Sequence, residues 1–337
     1  MAGAGPEVPD NPSGARFRLD VHTDEATFLA MLAEDVRRGL QGRPRSLPPK
    51  YFYDHAGALL FERITELPEY YLTRAEEAIL RRVAGEVARR ARPRDLVELG
   101  PGFCRKVRLL LDALDGPGDI RYIPVDVGRD GLTGAVRGLI DDYPAIRAHA
   151  VVGDFERHLD RVPPPAGRRL LLFLGSTIGN FDPPARQILL TRMRQLLDHG
   201  GRLLLGVDLV KDRRVLEAAY DDAQGVTREF NRNVLCVLNR ALDGDFQPDA
   251  YRHHAFFNAE ASRIEMHLVA SADQRVHLRR LDLLVELAEG EGIWTESSYK
   301  FTRRSSEAML AEAGLALDAW YTDDQERFGL VLARPSS

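Results

Sequence analysis

The chain has 337 residues, 44% of them hydrophobic and 29% charged, with a formal net charge of −5 and a pI near 6.0. That is apolar material enough for one large or two interleaved domains, and the mild acidity argues against a nucleic-acid or anionic-membrane partner. No apolar run reaches membrane-spanning length, the opening MAGAGPEVPDNPSG is no signal peptide, and Cys104 and Cys236 make no disulfide framework, so a cytoplasmic protein is expected.

In chain order, residues 1–16 are rich in Gly, Pro and Ala without periodicity, which predicts a disordered tail. Phe28, Leu29, Leu32 and Val36 form a helical stripe capped by Thr23 or Asp24. A proline-fixed stretch leads to Tyr51, Phe52 and Tyr53, then a short helix over Leu59 to Ile64. Pro68 breaks it before Tyr70-Tyr71, and Thr73 is expected to cap a helix to about Arg90. The decisive stretch is DLVELGPGFCRKVRLLL: an apolar run stops at Gly100-Pro101-Gly102, and a helical pattern with Val107, Leu110 and Leu111 follows. This is the first unit of a doubly wound α/β sheet, whose ligand lies at the carboxyl end of the strands.

A G-x-G turn serves both NAD and S-adenosylmethionine (SAM) domains. The third glycine of a dinucleotide fingerprint falls at Arg105, which speaks against a pyrophosphate, and Glu98 before the turn favours SAM. YIPVDV ends in Asp126, placed for a ribose diol. AVVGDF ends in Asp154-Phe155, an acid for the adenine amine and an aromatic for its face. Cys104, beside Arg105 and Lys106, could have a lowered pKa but reads as packing. LLLFLGSTIGNF gives a fourth strand whose loop, with Gly175 and Asn180, walls the crevice, and RLLLGVDLV gives a fifth. From Lys211 the pattern changes to two helices broken near Gly225, then several β-like stretches that read as an insertion with its own sheet. His253 and His254 point to opposite strand faces, so no metal is expected. Ser305 caps a late helix, and a closing pair of strands ends the chain.

The segments PKYFYDHAGALLFERITELPEYYLTR, VELGPG, LGSTIGNF, DLVKDRRVLEAAYDDAQGVTREFNRNVL, RIEMHL and TESSYKF together resemble the histidine-specific Nα-methyltransferases of ergothioneine biosynthesis, from about residue 45 to the end. The resemblance implies a class I SAM-dependent methyltransferase fold, a Rossmann-like doubly wound sheet (residues 61–211 and 301–337). A second, α+β substrate-binding part would come from 17–60 and 212–300. It implies conversion of L-histidine to its Nα-trimethyl betaine, hercynine, by a monomer with SAM as co-substrate and no metal. Residue by residue, it puts Tyr53 and Gly175 by the α-amine, Tyr70 against the imidazole and Met266 lining the ring pocket. Asn180 and Tyr220 would take the carboxylate, with Glu296 and Ser298 at the far ring nitrogen. Gly100, Lys106, Asp126, Asp154 and Phe155 would hold the cofactor. PGFCRK, in place of a small polar turn, and Leu72, in place of a proline, depart from the family pattern. Glu296 and Ser298 are two apart, so a strand would point both the same way, toward one polar edge of a heterocycle. Two alternatives stand. The same chemistry on another aromatic amino acid, such as tryptophan, would be signalled by loss of the Glu296/Met266 pair; the other is a SAM-binding protein without turnover.

Overall fold

The computed structural model describes residues 16–114, 120–197 and 200–336; the expected tail lies outside them except for Arg16. Fourteen strands are described, seven of them before residue 210. These are β1 (Phe17–Val21), β2 (Arg45–Ser46), β3 (Asp95–Leu99), β4 (Arg121–Asp126), β5 (Arg147–Val152), β6 (Arg169–Phe173) and β7 (Arg202–Asp208). The rest are β8 (Tyr251–Asn258), β9 (Arg263–Ala270), β10 (Gln274–Leu278), β11 (Leu283–Leu287), β12 (Gly292–Tyr299), β13 (Leu315–Thr322) and β14 (Phe328–Pro335).

The main sheet runs β1-β5-β4-β3-β6-β7-β14-β13. Its first six strands are parallel, and β14 joins β7 and β13 antiparallel. The strands β3 and β6 carry no exposed residue, as expected where helices cover both faces of a parallel sheet. The strand order reverses between β3 and β6, which opens a crevice beyond their carboxyl ends. The expectation that all of 17–60 joins the substrate-binding part does not fit β1, which extends the main sheet by pairing with β5. FRLDV is too short and mixed to announce a sheet edge. The helix Leu72–Ala91 starts at Tyr71 with no side-chain cap, and Thr302, not Ser305, caps Arg303–Glu312, with Ser305 as its capping-box partner.

The inserted part has a sheet in the order β2-β12-β9-β8 and a separate β10-β11 hairpin. Helix Val226–Leu242 packs against it, burying Phe230, Asn231, Val234, Leu235 and Leu238. One hydrophobic cluster runs from Leu96 and Val152 of the main sheet to Phe230, Met266 and Leu268 of the insertion, so the two parts share a core. The two parts meet backbone to backbone at Gly179, in the turn after β6. A Cβ there would lie 2.9 Å from the Tyr299 carbonyl oxygen at the end of β12, so only glycine lets the strand dock on that turn.

Candidate active site

The crevice is formed by strand ends. Gly100 leaves β3 at φ +65, and Cys104 takes φ +53 before the helix Arg105–Leu111. Cys104 is buried, and that burial pushes its thiol up to about 12, so it packs rather than reacts. Glu98, at the floor, accepts from the Tyr122 hydroxyl at 2.5 Å; burial, opposed by that hydrogen bond, pushes its carboxyl up to about 7. Asp126 ends β4, takes the Gly128 N–H at 2.9 Å and has no ion-pair partner among the described residues. Burial raises its carboxyl above the ordinary range, against the opposing hydrogen bonds of Gly128 and Val127. Asp154 follows β5, caps Phe155–His158 through the Glu156 N–H and meets Lys50 at 3.1 Å. Lys50 also reaches Asp35 at 3.1 Å. The Phe155 ring stands edge-on to Phe173 at 5.6 Å.

A buried pair joins this crevice to the β6 turn. Glu76, fully buried in helix Leu72–Ala91, forms an ion pair with Lys106. It also accepts the Gly175 N–H at 2.9 and 3.0 Å. Gly175, at φ +75, thus has its peptide orientation fixed by a carboxylate from another element.

A second group of candidate residues gathers at the inserted sheet. Glu296 and Ser298 share one face of β12, and Glu296 stands opposite Met266 of β9. A bulge between Trp294 and Glu296 sets this register, and the Thr295 hydroxyl turns to Asn231 and the Met266 carbonyl. Asn231 also holds the His253 ring, whose Nε2 lies 2.8 Å from the Tyr220 carbonyl. His253 is buried and His254 exposed, as strand alternation expects, and no metal-holding cluster occurs among the described residues. The Tyr220 and Tyr70 rings lie 6.3 Å apart, and Tyr70 meets Phe61 at 6.0 Å. The Tyr53 ring packs 5.4 Å from both Phe61 and Phe230. Tyr53 is 41% exposed, and its hydroxyl pKa is raised, by desolvation first and then by Glu296, Tyr220 and Asp126. The Glu296 carboxylate makes no hydrogen bond or ion pair with a described residue; desolvation, eased by Lys300, pushes it up to about 7.

An acid without a partner among the described residues thus stands near three tyrosines, on the insertion side of the glycine-turn crevice. The sequence model for histidine-specific, SAM-dependent methyltransferases matches residues 32–335. The chain belongs to that family. It is 49% identical to a histidine N-alpha-methyltransferase of Mycobacterium tuberculosis, over 94% of this chain and 99% of that one. It is 50% identical to another from Mycolicibacterium smegmatis, over 90% and 94%. Ergothioneine biosynthesis protein 1 of Neurospora crassa is 30% identical over 87% of this chain, which spans 33% of that protein.

Within this methyltransferase Tyr53 and Tyr70 both pack on Phe61, Tyr70 lies beside Tyr220, Tyr220 meets Ser298, and Met266 stands opposite Glu296. Gly175 and Asn180 lie in the β6 turn, and the Asn180 amide makes no hydrogen bond to a described residue. Gly100, Asp126, Asp154 and Phe155 lie at the strand ends. Lys106 is there too, but its ammonium already faces Glu76, and Asp154 faces Lys50. Sequence reasoning missed the groups that hold the site together: Glu76, Lys50, Asp35, Tyr71, Asp208, Lys211 and Lys300. A usable signal was Gly206 inside the apolar strand RLLLGVD. A Cβ there would lie 2.1 Å from Glu76 Oε1, so the glycine marks a buried side chain crossing the strand.

Proposed function

We propose that this chain transfers methyl groups from SAM to the α-amino group of free L-histidine, giving Nα-trimethylhistidine (hercynine), the opening step of ergothioneine biosynthesis. The observation that carries the reading is the Glu296 carboxylate, without a partner among the described residues, opposite Met266 and on the same strand face as Ser298. The residues present fit SAM: Asp126 is an unpaired acid at a strand end, suited to a ribose diol. SAM supplies a methyl activated by its sulfonium, so alignment and a neutral amine are what the protein must provide.

On this reading Glu296 accepts the imidazole N–H, and Asn180 and Tyr220 hold the carboxylate. Tyr53 and the Gly175 carbonyl aim the amine lone pair at the methyl. Each transfer forms one N–C bond, breaks one S–C bond and releases a proton from nitrogen to water. The growing cation is stabilised by the faces of Tyr53, Tyr70 and Tyr220, about 0.5–2 kcal/mol each.

The test is mass spectrometry of L-histidine incubated with SAM and the protein. Products heavier by successive methyl groups are expected. Methylated tryptophan with untouched histidine would overturn the imidazole assignment, and SAM binding without any turnover would overturn the enzymatic one.

A further inference from the structure

Beneath Tyr220 and Ser298 lies a closed network of charge. Lys300, two residues beyond Ser298, has a side chain with no solvent exposure. Its ammonium donates to Asp208 at 2.8 Å, to Tyr220 at 3.0 Å and to Ser298 at 2.9 Å. A lysine ammonium has three hydrogens and accepts nothing, so all three are in use. Asp208 is equally committed: it also takes the Tyr71 hydroxyl at 2.8 Å and Lys211 at 2.6 Å. Burial alone would lift the Asp208 carboxyl, but Lys300 and Lys211 hold it below its ordinary range. Two lysines thus share one carboxylate, and burial, opposed by Asp208, pulls the Lys211 ammonium down to about 8.

The Tyr220 and Ser298 hydroxyls lie 2.7 Å apart, and one of them donates to the other. Between them they own two hydrogens, and Lys300 donates to both oxygens. One hydroxyl hydrogen is left over, and neither hydroxyl meets a further acceptor among the described residues.

We propose that Lys300 is a positioning residue that turns the Tyr220/Ser298 pair into an obligate hydrogen-bond donor, so that this corner of the pocket reads an acceptor atom of the substrate. This rests on the histidine reading above. Glu296, on the same strand face, offers the opposite polarity, so β12 presents one acceptor and one donor to the ligand. Without Lys300 the two hydroxyls could accept as well as donate, and the corner would lose its preference.

Lys300→Met keeps the length of the side chain and leaves Lys211 to neutralise Asp208, so the fold has a paired network to retain. The experiment is a double-mutant cycle of Lys300→Met and Ser298→Ala, read as histidine kcat and KM together with SAM affinity by calorimetry. In the wild-type background Ser298→Ala should raise KM about tenfold, and in Lys300→Met by less than about threefold, because the donor is no longer fixed. Lys300→Met itself should raise KM, with kcat and SAM affinity within a few fold. Equal effects of Ser298→Ala in both backgrounds would overturn the proposal, as would a Lys300→Met loss carried by SAM affinity or by thermal stability. If a melt shows Lys300→Met unfolded, Lys300→Gln, whose amide oxygen can take the spare hydrogen, replaces it in the cycle, and equal effects of Ser298→Ala in both backgrounds again overturn the proposal. No histidine turnover by the wild type would instead overturn the functional reading, and this assignment with it.

Discussion

The crevice at the ends of β3 to β6 and the pocket under β12 solve opposite problems. In the crevice most charged groups already have protein partners: Lys106 has Glu76, Asp154 has Lys50 and Glu98 has Tyr122. On the insertion side, Glu296 and the Asn180 amide lack partners among the described residues, while one layer deeper Lys300 donates to three groups and Asp208 accepts from three. The crevice is built to hold its shape when empty. The pocket defers part of its hydrogen bonding to the molecule that enters, which is where discrimination between ligands comes from, because the wrong ligand leaves buried polar groups unmet.

Removing a group from each class separates the two. Glu76→Ala takes away the buried partner of Lys106 and of the Gly175 N–H, and should cost about 3–5 kcal/mol of stability in denaturant unfolding, the range for breaking a buried pair. A variant as stable as the wild type would mean the crevice is not held by its internal pairs.

Glu296→Ala should leave the fold intact and cost histidine about 2–4 kcal/mol in kcat/KM, with a larger aromatic amino acid gaining relative to it. Parallel assays with histidine and tryptophan check this. Equal losses for both, or a collapse of SAM affinity, would make Glu296 structural. Asp126 is the crevice's unpaired acid, so Asp126→Ala should behave like a pocket variant: SAM binding weaker by about 1.5–3 kcal/mol at unchanged stability. Calorimetry giving the wild-type affinity would remove it from the cofactor's contacts.

The smallest effect is one of pH. Burial raises the Glu296 carboxyl from its ordinary value of 4.5 to about 7 in the fold. A group raised in this way contributes stability that is present below about 4.5 and lost as pH rises through about 7. Glu296→Gln should therefore melt higher than the wild type at pH 8, by roughly 2–4 °C for each kcal/mol of ionised-state penalty removed, and the gap should close toward pH 5. Bound histidine should shrink it too, by giving the carboxylate a donor. A gap independent of pH would show that Glu296 is already paired or well hydrated.

Reading the chain alone recovers the parallel core, because strands buried on both faces are written as unbroken apolar runs such as Leu170–Leu174 and Leu203–Leu205. It also finds the crevice acids, which sit where such runs end. The edge strand β1 is invisible because FRLDV has no such run, and its partner β5 is about 130 residues away. The deep charges are hidden for another reason. Glu76 stands in a helix among Arg74, Glu77, Arg81 and Arg82, where a charge reads as solvent-facing, and Lys300 follows a strand end where a lysine is usually wet. Only the pairing of a buried acid with buried bases across distant segments gives them meaning, and pairing is a property of the folded chain.

The contact between Gly179 and the Tyr299 backbone bears on redesign. The turn that carries Asn180 and the strand that carries Glu296, Ser298 and Lys300 touch without an intervening side chain, and a methyl group at 179 would meet backbone atoms at 2.9 and 3.2 Å. Neither piece can therefore be transplanted as a cassette. A graft of the inserted sheet from a relative with different substrate taste must bring a matching turn, while point changes along the pocket face of β12 leave the joint untouched. New specificities on this scaffold are more accessible by altering individual letters on one strand than by exchanging modules.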